Sequence, residues 1–334
     1  MRVNFISLIW LFILFFQLGD AVGIPSPHRR TPAPKERLIR SLHSCNSEQT
    51  ARINIAIDDA RAALLVAVSR LEALLRFLET NPEPQAVVSA RNKVTLWTFE
   101  SIFRQVYWGP PQRHLNPVGV AIVRNFLRVM RGLVEAVRDT TSLVEIHCGD
   151  SFLTRDFPLD PPPNVENNPN LFYDSRPFER GGDRLIEPNL RCHPTRGPDG
   201  QVKPSPTAFS MDVEIEDGGT LCLIVICDTA FNLWNYGPTG GSLQAYRNLR
   251  LHNNYPLDGF GGTYNPGSLI LHEFTHCSVL TAMKTIDVGY GWAQIINVPR
   301  HQVFDNADSI AYFVVAMYLD NHDWSNGYAD PLPP

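Results

Sequence analysis

Residues 268–291 read SLILHEFTHCSVLTAMKTIDVGYG, a helix followed by a glycine-containing bend. Ser268 to Met283 is read as a helix that follows a glycine- and asparagine-rich stretch from Tyr236 to Gly267. Inside it lie His272, Glu273 and His276, an H-E-x-x-H. Histidines four apart on a helix share one face, so both imidazoles can reach one tetrahedral metal ion. Glu273 sits beside them, placed to take a proton from water held there. Working outward, Phe209–Ile215 and Leu221–Cys227 read as two strands of a hairpin joined by residues 216–220. A last helix is expected near Asn306–Leu319.

The N-terminal half reads as helices. From Ser47 to Glu79, Ile53, Ile57, Ala60, Leu64, Val68, Leu71 and Leu75 recur at steps of three and four until Asn81-Pro82. A second helix is expected over about Val88–Tyr107, closed by Gly109-Pro110-Pro111. A third starts at Pro117 and carries Ile122, Phe126, Val129, Leu133 and Val137 on one stripe. Short connections favour an antiparallel bundle. Residues 154–206 hold eleven of the 27 prolines with no period, and read as an irregular insertion. The expected class is α+β, an N-terminal helical layer packed on a small, mostly antiparallel sheet.

The chain has 334 residues, 44% hydrophobic and 19% charged, with a formal net charge of −5. That is enough chain for a packed core, and it excludes collagen, coiled-coil and multi-span membrane classes. The charge argues against a nucleic-acid partner. The N-terminus has the form of a secretory signal. Arg2 precedes an almost wholly apolar run from Phe5 to Leu18, and Ala21 and Gly23 suit cleavage after residue 23. The run is too short for a spanning helix, so a secreted chain with no membrane attachment after cleavage is expected. Residues 24–44 read as a flexible leader or a short pro-segment, with Arg29-Arg30 as a dibasic processing site. No N-x-S/T sequon occurs. Six cysteines in an exported chain favour disulfides, with 15 possible connectivities. Cys222–Cys227 is the disfavoured pairing, because five steps along a strand put the two on opposite faces, roughly 16 Å apart.

Catalysis at such a metal needs a third protein ligand. The extended motif with Gly and His three and six residues after His276 is excluded, because Val279 and Ala282 stand there. No Glu follows Glu273. The remaining donors are Asp287, His301, Asp305, Asp308, Asp320, His322, Asp323 and Asp330. Asp287 is nearest, in a segment whose glycines suit a turn back towards the helix.

These residues resemble the aspzincin metallopeptidases, the deuterolysin-like and lysine-specific metalloendopeptidase family. The family pattern is H-E-x-x-H followed by G-T-x-D-x-x-Y-G, and the chain matches it apart from Lys284 at the first glycine. Asn306-Ala307-Asp308-Ser309, Leu223–Cys227 and the Cys45–Gln49 opening are also similar to family segments. The likeness covers roughly residues 45–80 and 220–320, and nothing in 150–210. It implies a zincin-like active-site helix in a metallopeptidase-like domain over residues 45–334. It implies one Zn²⁺ held by His272, His276 and Asp287, Glu273 as general base, and Tyr290 as hydrogen-bond donor to the oxyanion. Tyrosine, with an ordinary pKa near 10, is a neutral donor at working pH. In the lysine-specific branch the aspartate matching Asp308 and an acid three residues later bind the substrate lysine, but here the later residue is Ala311. Asp308 is thus a candidate substrate-binding residue, or, with Asp305 and Asn306, simply opens a helix. His301 reads as a surface residue and Cys277 as structural. The expected function is a secreted, monomeric zinc endopeptidase acting on polypeptides. The rival is a catalytically idle zinc-binding or host-interaction module.

Overall fold

Leu221 to Ile226 is apolar at every position, and a strand of that kind needs cover on both faces. A computed structural model provides it. The described residues are 41–80, 89–104, 106–108, 114–115, 118–138, 144–157, 171–186, 190–196, 201–203, 205–236, 240–247, 249, 251–281 and 284–333. The principal sheet has four strands, β1 (Ser41–His43), β2 (Val144–Cys148), β6 (Ala208–Glu214) and β7 (Thr220–Ile226), in the order β1-β2-β7-β6. Three further strands, β3 (Leu153–Thr154), β4 (Phe172–Asp174) and β5 (Arg184–Ile186), form a separate antiparallel sheet, and Tyr107–Trp108 with His114–Leu115 and Thr195–Arg196 with Val202–Lys203 form two short two-stranded pairs.

Along β7, Cys222, Ile224 and Ile226 face a core shared with the helices, whereas Leu221, Leu223, Val225 and Cys227 face a second core. The two-residue period thus sends Cys222 and Cys227 to opposite faces. Cys222 joins Cys277, Cys227 joins Cys192, and Cys45 joins Cys148.

The α+β class holds. Strand pairs among the described residues are mostly antiparallel, but the principal sheet is mixed, with β1 and β7 both parallel to β2 and only β6 antiparallel to β7. The expected hairpin is β6–β7, with Ala208 opposite Ile226 and Glu214 opposite Thr220.

Helix α1 (Ser47–Thr80) lies at the centre, against α2 (Ala90–Phe103), α3 (Gly119–Arg138), α4 (Pro266–His276) and α5 (Ala307–Tyr318). Four neighbours widen its buried face beyond the expected stripe. Ile53, Ile57, Ala60, Leu64 and Leu71 are fully buried, but so are Ala56, Ala63, Ala67 and Leu74, while Val68 and Leu75 are half-buried. Each large apolar side chain so buried contributes roughly 1.5–3 kcal/mol. Where α4 crosses α1, a Cβ on Gly267 would lie 2.9 Å from Asp59 Cβ, so only glycine permits the approach.

Four expectations are corrected. The insertion is not irregular throughout: β3, β4 and β5 and their apolar residues Leu153, Phe172 and Ile186 help build the second core over the principal sheet. Their two- and three-residue lengths are too short for a periodic signal. The 24–44 segment is not flexible to its end, because Ser41–His43 is strand β1. The helix read as Ser268–Met283 starts at Pro266, capped by Asn265 Oδ1 accepting from Gly267 N and Ser268 N, and stops at His276. Cys277 is extended there and disulfide-linked to β7, and a short helix, Ser278–Thr281, follows. Similarly, α2 ends at Phe103 rather than near Tyr107, where Arg104 takes a left-handed φ of 51°. The signal segment, the dibasic pair, Asn81-Pro82, Gly109–Pro111 and Pro117 lie outside the described residues.

Candidate metal centre

The motif on α4 and the bend after it converge. His272 Nε2 and His276 Nε2 lie 3.2 Å apart, and each lies 3.2 Å from Asp287 Oδ1. Donors at about 2.0–2.1 Å from one tetrahedral zinc ion lie roughly 3.3 Å apart. The triangle therefore fits a zinc-sized ion, and these three residues form a candidate metal group.

The outer nitrogens decide which atoms face the centre. His272 Nδ1 lies 2.7 Å from Asp308 Oδ1. His276 Nδ1 lies 3.1 Å from the Thr285 carbonyl oxygen and 2.9 Å from Thr285 Oγ1. Protons on both Nδ1 atoms donate outward and leave both Nε2 lone pairs directed at the triangle. Thr275 Oγ1 completes the chain, 3.0 Å from Thr285 Oγ1 and donating to the His272 carbonyl.

The bend is held just as firmly. Ile286 N donates to Asp305 O and Ala307 N donates to Ile286 O, pinning the residue before Asp287 to the start of α5. Asn306, fully buried, accepts from Val288 N at 2.8 Å and from Gly289 N at 3.0 Å. It makes no side-chain cap on α5, contrary to the capping alternative. Gly291 has φ +73°, a left-handed value that favours glycine, and its N–H donates to Asp308 Oδ2.

Electrostatics at the triangle favour a positive charge. Burial opposes protonation of His272, but hydrogen bonds to Asp287 and Asp308 outweigh it and raise its pKa well above the usual imidazole value. Burial alone would raise the Asp287 carboxyl, but the two histidines overcome this and hold it far below the carboxylate range. A cation placed here meets the same field.

Glu273 is 3% exposed, and its Oε2 is buried without a hydrogen-bond partner. Burial, first of all, pushes its carboxyl pKa up. Ser210 of β6 lies close enough to favour the ionised form, although its own Oγ is also unpartnered. Tyr290 is half exposed, its ring 6.1 Å from that of His272. Burial of the hydroxyl and the Asp287 charge raise its pKa, so it remains a neutral donor. All of these residues line one cleft of about 930 Å³, bounded by residues 206–212 of β6 and its approach, residues 258–264, and the bend.

Asp308 is placed differently from the substrate-binding expectation. It is 2% exposed, and its two oxygens are taken up by His272 Nδ1 and Gly291 N. Its geometry places it behind the candidate ligand His272, orienting that imidazole. His301 is exposed, as expected. The sequence reading missed Thr285, Asn306, Ser210 and also Asp258, whose Oδ1 accepts from Trp292 N and the Tyr312 hydroxyl. The signals were Thr285 in the G-T-x-D pattern and Asn306 in the N-A-D segment, but neither pattern showed which atoms these residues meet.

A second group, His43, Glu145 and His147, also brings three donors together. Glu145 and His147 share one face of β2, and His43 is the register partner of His147 on β1. Here cations of the protein already occupy the carboxylate. Arg180 Nε donates to Glu145 Oε1, Arg180 Nη2 lies 2.8 Å from His43 Nε2, and Arg176 Nη1 lies 3.6 Å from Glu145 Oε2.

No protein-family model matches the chain, and no curated protein matches it.

Proposed function

We propose that the chain is a secreted, monomeric zinc endopeptidase of the aspzincin kind, acting on polypeptides. The observation that carries the reading is the triangle of His272 Nε2, His276 Nε2 and Asp287 Oδ1, with the unpartnered Glu273 Oε2 beside it in an open cleft. When bound, zinc would polarise a peptide carbonyl and acidify a water molecule. Glu273 Oε2 would take the proton from the attacking water and pass it to the leaving amine. Its burial raises its proton affinity and suits it to that exchange at neutral pH. Tyr290 would donate its phenolic hydrogen to the oxyanion. Asp308 and Thr285 keep the two imidazoles oriented.

Secretion is supported by the N-terminal signal pattern and by three disulfides. No helix among the described residues is long and apolar enough to cross a membrane. The test is Glu273→Gln, assayed on casein with and without a chelator. Chelator-sensitive digestion should fall about 10²–10⁴-fold while zinc stays bound. Full activity in the variant, or digestion indifferent to chelator, would contradict the reading.

A further inference from the structure

Four large apolar side chains that are half exposed border the same cleft: Leu190 (46%), Ile286 (48%), Tyr264 (50%) and Tyr290 (53%). Apolar surface gathered around one opening marks a binding surface, whereas scattered residues do not. Ile286 itself and the two residues that follow Leu190 are tied to their surroundings. Leu190 leads into a clamp in which Arg191 Nε donates to the buried Asp150, the Arg191 guanidinium lies 4.0 Å above the Phe172 ring, and Cys192 is tied to Cys227. Cys192 N also donates to Asp150 Oδ2 at 2.9 Å. Ile286 has both backbone groups bonded to the start of α5 and immediately precedes Asp287. Rigid backbone under an exposed apolar side chain lowers the entropy lost when a ligand covers it.

The cleft carboxylates are less available for recognising a substrate side chain. Asp212 accepts from Ser278 N, Asp258 from Trp292 N and Tyr312, and Asp308 from Gly291 N. We propose that Leu190 and Ile286 determine specificity, selecting polypeptides with a bulky apolar side chain, such as Leu or Phe, beside the bond to be cut. Leu190 comes from the proline-rich insertion, which thereby contributes a wall to the cleft.

This inference rests on the peptidase reading, so its test uses binding to a form that does not cut. Fluorescein-labelled twelve-residue peptides, identical except for a central Leu, Phe, Ser or Asp, are titrated against zinc-loaded full-length Glu273→Gln protein. The Leu and Phe peptides should bind about tenfold tighter than the Ser peptide. Adding Leu190→Ala or Ile286→Ala should reduce that ratio severalfold without changing zinc content, while Leu190→Met preserves it. Equal affinity for all four peptides, or alanine effects equal for the Leu and Ser peptides, would overturn the proposal. If apolar peptides bind selectively but the wild type cuts none of them, the specificity assignment survives and the hydrolase reading fails.

Discussion

Among the described residues, two places gather two histidines and one carboxylate with all donor atoms within 4.8 Å of one another. What separates them is their surroundings. At His272, His276 and Asp287, the outer nitrogens are bonded to Asp308 and Thr285, and the inner atoms converge on a common point. At His43, Glu145 and His147, two arginines neutralise the carboxylate, and His147 Nδ1 is buried without a partner. The first arrangement leaves a field for a cation to complete; the second is completed by the protein's own cations. Proximity of donors is thus the same at both places, and the difference lies behind them.

The largest expected effect falls on metal content. Asp287→Ala should reduce bound zinc from one per chain to none at micromolar metal, read by elemental analysis after dialysis. Retention of one zinc would mean that another residue supplies the third ligand. At the second cluster the same kind of change should act on stability instead. Glu145→Gln leaves Arg180 and the buried Arg176 with one acceptor fewer, a loss of about 3–5 kcal/mol in denaturant unfolding, with zinc content unchanged. A loss of zinc in this variant would erase the distinction.

A smaller effect separates ligand from positioning residue. Asp308→Asn should weaken zinc binding roughly 10–100-fold by competition against a chelating dye. An unchanged affinity, with selective loss of activity on lysine-containing peptides, would restore the substrate-binding role. Smallest is the pH response of the second cluster. Burial, first, lowers the pKa of His43, helped by His147 and Arg180. For Glu145, burial acts upward but His147 and Arg180 overcome it and lower the carboxyl. A lowered folded-state pKa means stability present above the unfolded value and lost as pH falls towards the folded one. Stability should thus decline from about pH 6.5 through the His43 window and again below about pH 4.5. Glu145→Gln should flatten the lower step; an unchanged acid limb would show that Glu145 does not carry it.

What was legible in the sequence was local. The H-E-x-x-H face and the long helix after Cys45 rest on the 3.6-residue period, and the hairpin read over 209–215 and 221–227 rests on one alternating and one continuously apolar run. Contacts across long separations were not. Asp308 meets His272 across 36 positions, and Asn306 meets Val288 across 18. Strand β1 pairs in parallel with β2 more than a hundred residues later. The insertion was unreadable because its strands are two or three residues long and are held by Arg176 bonded to Asp174 and near Glu145, and by the Cys192–Cys227 disulfide. The helix break at Cys277 was equally hidden, since nothing in a cysteine announces that its partner lies on β7.

The central claim is best tested by anomalous diffraction at the zinc edge from crystals of the zinc-loaded protein. The account predicts one peak, about 2.0–2.1 Å from His272 Nε2, His276 Nε2 and Asp287 Oδ1. A peak among His43, Glu145 and His147, or none within reach of His272 and His276, would contradict it.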